Sequence, residues 1–268
     1  MSEQKQKALT LSLTEWVFTG NKVANYLWVL PVACGLIAWE TVARLGLIPS
    51  SNLPTFSSVL VVFMSSIQNV SFLLRIVHSF LNLVCGLFLA FSVALPLAFV
   101  AGSRNKFDLT LTPVIMLIGA LPDLSFLPLL VLWFGPGNVA AVIMASVAGF
   151  FPIYFTVRQG TKNIPRDLFD VASIFKSSRT STFTKMVLPA ISPQMFSGLR
   201  LAYDFAWEII IAIEIATRMS GIGDFIDGNI SSGSLQNGFA AILAIAIVAI
   251  VVDRLFFGSL ESWTRKWA

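Results

Sequence analysis

The chain has 268 residues, of which 56% are hydrophobic and only 12% charged, with a formal net charge of +4. Soluble domains carry about a quarter charged residues, so the composition excludes a soluble protein and points to the bilayer. The positive balance does not mark a nucleic-acid binder, because the basic residues lie in loops between apolar runs, where they set orientation instead of forming a phosphate-binding stripe.

Residues 1–25 are largely polar and mixed in charge, and no small-residue cleavage site follows the first apolar run. They read as a cytoplasmic N-terminal segment ahead of a retained anchor. Crossing a hydrocarbon core takes about 20 apolar residues, and six runs reach that length: 26–45, 80–102, 108–133, 138–157, 197–216 and 239–258. Tyr26 and Trp28 open the first at the position of an interfacial aromatic belt. Cys34 and Cys85 have no Cys or His at ligand spacing and read as small buried residues. Residues 57–78, which end at the single histidine, His78, mix polar and apolar positions and predict an interfacial helix before the second span.

The third run is irregular. Pro113, Pro122 and Pro128 fall within it, and proline removes a backbone donor and clashes with the preceding turn. A break is predicted near 122–128, with the stretch 121–128 facing the protein interior, since broken backbone survives at membrane depth only inside protein or beside water. The 217–238 segment is rich in Gly, Ser and Asp and reads as an external loop, and 259–268 as a cytoplasmic tail.

Of the 18 Lys and Arg, all but Arg44, Arg75 and Arg218 fall on one side of such a six-span arrangement. Basic residues concentrate on the cytoplasmic side. The expectation is an all-α, multi-pass inner (plasma) membrane protein of six transmembrane helices over 26–258, with both termini and the long 158–190 loop in the cytoplasm.

That loop, between spans four and five, is the least lipid-like part of the chain. Pro165 and Asp167 suit a helix start, and Leu168, Val171, Ala172 and Phe175 follow helical spacing. A break at 177–182 leads to a second short helix, 183–188, closed by Pro189. Two short helices at an angle could fill a groove on a soluble partner or lie on the chain's own headgroup layer, and periodicity leaves both open.

The residues themselves resemble something more specific. Asp170-Val171-Ala172, then Leu188-Pro189, resemble the Glu-Ala-Ala loop of permease subunits of ATP-driven (ABC) importers. The resemblance continues through Leu53-Pro54-Thr55, Leu127-Pro128-Leu129 with Trp133-Phe134-Gly135, Gly198-Leu199-Arg200 with Trp207 and Glu214, and Gly221-Ile222-Gly223. Their order and spacing are similar to the sulfonate/taurine/nitrate type. The resemblance implies a coupling loop that docks on a cytoplasmic ATPase through Asp170, Val171, Ala172, Phe175, Lys176, Leu188 and Pro189. It also implies two ATPase subunits, an external solute-binding protein and a homodimer in the membrane lipid. Lys176 stands where the family has a glycine, so either the turn geometry or the partner's groove differs. No phosphate-binding Gly-x-x-x-x-Gly-Lys-Ser/Thr loop occurs. The chain is therefore expected to be a permease and not an enzyme, without a cofactor, ATP being handled by a partner.

Ionisable groups inside spans are functional candidates. At about 100° per residue, Arg200, Asp204 and Glu208 share one stripe of span five and Trp207 and Glu214 another, while Gly198, Ala202 and Ala206 form a small-residue row for close packing. Arg200 and Asp204 are expected to pair. Glu208, Glu214, Trp207 and, in the broken span, Asp123 are candidates for the translocation pathway or a gate, with Met116 and Phe126 for an apolar part of it. The cargo implied by the resemblance is a small polar or anionic solute. Ionised Glu208 and Glu214 would oppose an anion, and pyrimidine-like cofactor precursors are an alternative. A rival reading is an ion-gradient-driven secondary transporter using Asp123, Glu208 and Glu214. A membrane-embedded enzyme has no supporting constellation.

Overall fold

The computed structural model describes residues 29–264. The segment 1–25, Tyr26, Trp28 and tail residues 265–268 lie outside the described residues. Among the described residues the elements are helical throughout. The chain parts into two compact units, Met1–Val61 and Val62–Ala268.

In the first unit, α1 (Val29–Arg44) is followed by turns that lead into α2 (Phe56–Ser66), whose second half belongs to the second unit. The Leu53-Pro54-Thr55 turn is held from both sides. Trp39 Nε1 donates to the Pro54 carbonyl at 2.9 Å, and Glu40 accepts from the Ser57 backbone at 3.0 Å, the Ser57 hydroxyl at 2.8 Å and Arg44 Nε at 2.6 Å. A carboxylate at the first turn of α2 suits the positive helix end.

The second unit is built on α3 (Val70–Ser103), α6 (Asn138–Lys162) and α9 (Leu188–Thr217). At 1.5 Å per residue, the 34 residues of α3 span about 51 Å, well beyond the ~30 Å hydrocarbon core. The expected interfacial helix 57–78 is therefore divided. Its first half is α2; its second half, with His78, is the opening of α3, which starts afresh because the Asn69 side chain caps it by accepting from Ser71 N at 2.9 Å.

Small residues set the α3–α6 seam. Ala90, Ala94, Ala98 and Ala101 on α3 and Ala141, Ala145 and Ala148 on α6 are almost wholly buried. A Cβ on Gly86 would lie 2.5 Å from Ala145 Cβ, and one on Gly102 2.5 Å from Thr161 Cβ. Without a hydrophobic drive inside lipid, such backbone approach is what holds membrane helices together. The predicted row on α9 does the same work. Gly198, Ala202 and Ala206 are buried, and a Cβ on Gly198 would collide with Thr156 on α6. Cys34 and Cys85, by contrast, are exposed; Cys85 adjoins Gly86 in sequence but faces away from the seam that buries it.

The third run is broken as predicted. After α4 (Asn105–Gly119) the chain bends by 86° before a 3₁₀ turn (Asp123–Phe126) and α5 (Leu127–Phe134). Pro113 sits inside α4 without ending it, and Pro128 occupies the first turn of α5, where its missing donor costs nothing. The bend is not interior to this chain. Among the described residues Leu121, Pro122, Leu124 and Ser125 are exposed and Asp123 and Phe126 only half-buried.

Following α6 come α7 (Arg166–Ile174), the single-turn α8 (Arg179–Thr182), a π turn (Phe183–Val187) and α9. The second loop helix is not closed by Pro189. In the π turn Leu188 N–H bonds back to the Phe183 carbonyl, which resets the ladder so that Pro189 falls in the first turn of α9, where proline is tolerated. After α10 (Ile222–Ser231), α11 (Leu235–Val252) runs through a second π turn (Asp253–Phe257) into α12 (Gly258–Thr264).

By length and composition, α3, α6 and the α11–α12 stretch can cross a membrane, and the bent α4–α5 pair makes a fourth. α9 has 30 residues but carries Arg200, Asp204, Glu208 and Glu214.

Candidate functional site

The basic loop begins later than its sequence suggests. Arg158 and Lys162 lie on α6, and both pair with Asp108 in the first turn of α4, through Arg158 Nε and Nη2 and through Lys162 Nζ. Asp108 is 4% exposed. It also accepts from Thr112 Oγ1 at 2.6 Å, which lies 2.8 Å from the Tyr154 hydroxyl. A buried carboxylate is tolerated only when paired and hydrogen-bonded, and here three side chains, Arg158, Lys162 and Thr112, converge on it. Sequence reading passed over Asp108; the visible signal was a basic pair four residues apart at the end of an apolar helix.

What projects is α7. Val171, Ile174 and Phe175 are 49%, 76% and 80% exposed, and Asp170 is exposed beside them. Isolated apolar residues on a surface need no explanation, but a contiguous exposed cluster marks an interaction surface. The helix ends in a Schellman motif: Ser177 N–H bonds to the Ala172 carbonyl and Lys176 N–H to Ser173, each at 3.0 Å. The motif puts Lys176 at φ +48°. The turn is thus the one a glycine would make, adopted by a residue whose Cβ disfavours it. Leu188 and Pro189 lie beyond the π turn, half-buried at the root of α9.

At the broken span, a cavity of about 190 Å³ is lined by Pro122, Asp123, Leu124, Phe205, Glu208 and Ile209. The structure thus brings together Asp123 and Glu208, which are 85 positions apart in sequence. Met116 is 58% exposed on α4 and Phe126 half-buried in the 3₁₀ turn; neither lines this cavity. Trp207 is turned away from it, buried at 5% exposure with its ring 6.3 Å from those of Phe80 and Tyr203.

Glu214 sits in a different place again. It is fully buried, accepting from Ser79 Oγ at 2.6 Å and from Gly223 N at 2.8 Å, while Ile222 N donates to Ser79 Oγ at 2.9 Å. These bonds tie α3, α9 and the start of α10 together. A Cβ on Gly221 would overlap the Glu214 carboxylate, which gives the Gly221-Ile222-Gly223 motif a steric reason. Nearby, Arg75 pairs with Asp224 at 3.0 Å and lies 5.6 Å over the Phe225 ring.

Arg200 does not pair with Asp204. Its Nε and Nη2 reach Asp253 at 2.6 and 2.8 Å, because the second π turn brings that carboxylate to face it squarely, and a two-pronged bond outweighs an adjacent i, i+4 contact.

The profile of the family described as binding-protein-dependent transport system inner membrane component matches residues 94–265. The putative aliphatic sulfonates transport permease protein SsuC of Bacillus subtilis (strain 168) is 27% identical over 249 residues, 92% of this chain and 90% of that one. The nitrate import permease protein NrtB of Leptolyngbya laminosa is 30% identical over 181 residues, 68% and 65% of the two chains. Among solved structures, a chain of the MetNI methionine ABC transporter in inward facing conformations superposes with a TM-score of 0.62 at 15% identity. It covers 73% of this chain and 96% of that one, a likeness of fold.

Proposed function

This chain belongs to the family of binding-protein-dependent transport system inner membrane components, and from that premise we propose that it is the transmembrane subunit of an ATP-driven importer. In this reading α1 and α9 join the four candidate crossings to give six spans. The termini and α7 are cytoplasmic, as the distribution of Lys and Arg favours. Two copies pair in the membrane, two ATPase subunits bind from the cytoplasm, and a solute-binding protein delivers cargo outside. The observation that carries the reading is α7, a short helix between α6 and α9 whose apolar side and Asp170 are left uncovered among the described residues of a chain otherwise shaped for lipid. It docks on the ATPase through Asp170, Val171, Ala172, Phe175 and Lys176, with Leu188 and Pro189 bracing the far side.

The exposed bend at 120–126 supports the pairing. Irregular backbone facing lipid is not tolerated, so a second copy or a watery path must lie against it. Asp123 and Glu208 then face the translocation route, and Met116 and Phe126 border it. The relatives' names point to sulfonates and nitrate. Two carboxylates on the route oppose a simple anion, so within that class a zwitterion carrying an ammonium group fits best.

A tagged pull-down from membranes tests this, comparing wild type with a chain whose 166–188 segment is a flexible linker. Recovery of a Walker-type ATPase by wild type alone is expected. The juxtaposed Asp123 and Glu208 favour one rival, ion-gradient-driven uptake, and failure of both chains to recover an ATPase would install it. Asp170→Lys should abolish recovery while leaving the membrane fold intact.

A further inference from the structure

Among the described residues, two that are not glycine have left-handed backbone, Lys176 at φ +48° and Arg218 at φ +51°. Both are cations just past a helix end, that of α7 and that of α9. They differ in where the charge goes. Arg218 Nη2 lies 4.0 Å from Asp227, so its carboxylate is in the same chain. Lys176 is exposed, and among the described residues no carboxylate lies within ion-pair distance of it.

The turn itself does not ask for lysine. A Schellman turn is eased by glycine at its left-handed position and by an apolar residue just after it, which packs back on the helix. Here the left-handed residue carries a Cβ and Ser177 follows it. The negative end of α7 welcomes a cation, but a lysine one position earlier would collect that gain without strain. What position 176 adds is place. It sets a positive charge at the C-terminal edge of the exposed apolar cluster, next to Phe175, while Asp167 and Asp170 lie towards the N-terminal edge, exposed as well. An anionic headgroup layer would repel those two carboxylates. A protein groove can carry both signs and match both ends.

On the reading of α7 as the helix that docks on an ATPase, we propose that Lys176 selects which ATPase: its ammonium pairs with an Asp or Glu carboxylate at the rim of the groove that receives α7. Such a rim pair contributes more to partner choice than to total affinity, since a groove with a cation at that point is repelled.

The test is a binding titration between the full-length chain in detergent and the Walker-type ATPase that it recovers from membranes, at ~0.1 M and ~1 M salt. Lys176→Gly removes the charge and the strain together, so if only the shape of the turn matters it should bind as well as wild type or better. The proposal expects it to bind about threefold more weakly at low salt, and Lys176→Glu about tenfold more weakly. Lys176→Arg should bind like wild type, and all four chains should converge at high salt, where the pair is screened. A carbodiimide, which joins an amine to a carboxylate in contact with it, should link Lys176 of wild type to an acidic residue of the ATPase. Wild-type affinity in both Lys176→Gly and Lys176→Glu, a loss that persists at high salt, or a complex that forms without a cross-link at Lys176 overturns the proposal and leaves the docking reading standing. If wild type recovers no ATPase, both fall together.

Discussion

Ser79 and Glu214, 135 positions apart, share a hydrogen bond of 2.6 Å in the fully buried junction of α3 and α9. Neither residue is left with a single bond. Ser79 also accepts from Ile222 N and Glu214 from Gly223 N, so the first turn of α10 is fastened by its own amides. A carboxylate suits that task because it offers several acceptor positions where backbone donors at a helix start have no intrahelical partner. Glu214→Ala should therefore lower thermal stability in detergent, by about 1–3 kcal/mol for the donors left unsatisfied. Glu214→Gln should cost less, keeping one carbonyl oxygen. If Glu214→Ala unfolds like wild type while uptake is lost, the residue serves the pathway and not the junction.

Asp108 supports the C-terminal end of α6. With Arg158 and Lys162 both directed at it, Asp108→Asn leaves two cations facing one neutral amide. Full burial of an unpaired charge costs about 3–5 kcal/mol, but Lys162 is 34% exposed and water relieves part of the loss, so about 2 kcal/mol is expected. A double-mutant cycle of Asp108→Asn with Arg158→Gln, read by thermal unfolding, should return a coupling energy well above the ~0.5 kcal/mol of an exposed pair.

Lys176 tests how much the turn after α7 matters. Its left-handed backbone costs a residue with a Cβ about 1 kcal/mol, which Lys176→Gly removes. A β-branched residue there is a worse misfit. Hydrogen exchange of the amides at 175–177 should be slower or unchanged in Lys176→Gly and faster in Lys176→Val. Equal exchange in all three would mean that the Schellman bonds do not hold this turn.

The α3–α6 seam makes a steric prediction. Gly86→Ala places a methyl 2.5 Å from Ala145 Cβ and 2.9 Å from the Val142 carbonyl, and neither a Cβ nor a backbone carbonyl can swing aside as a flexible side chain does. A loss of about 1–3 kcal/mol is expected from such overpacking. Gly228→Ala, at an exposed position inside α10 with nothing within 4 Å, is the control and should gain up to about 1 kcal/mol, since alanine is the better helix former.

The sequence made some of this legible and hid the rest for identifiable reasons. The break in the third run was readable because proline acts locally on its own backbone, and the small row Gly198, Ala202 and Ala206 because helical spacing places it on one face. Arg200 was misassigned because its nearest carboxylate in sequence, Asp204, is not its nearest in space; only the π turn at 253–257 reveals Asp253. Asp108 was hard to place for the same reason: the basic pair Arg158 and Lys162 is visible in the sequence, but the carboxylate it meets lies some fifty residues away on another helix. The meeting of Asp123 with Glu208 is likewise tertiary. Both were legible as candidates because charge is rare in an apolar run, but no periodicity could tell that they share one cavity while Glu214, on the same helix, does not.

Gly86 and Gly102 lie about 24 Å apart along α3, and each presses against α6 at a matching interval, at Ala145 and Thr161. Two bodies touching at one place can pivot; touching at two, they can neither pivot nor slip without prying backbone from backbone. α3 and α6 therefore behave as one girder, and its stiffness is set by the absence of side chains. Any reshaping of this molecule is left to what is bolted onto that girder, above all the bent α4–α5 segment, whose corner at Ala120–Pro122 is exposed among the described residues.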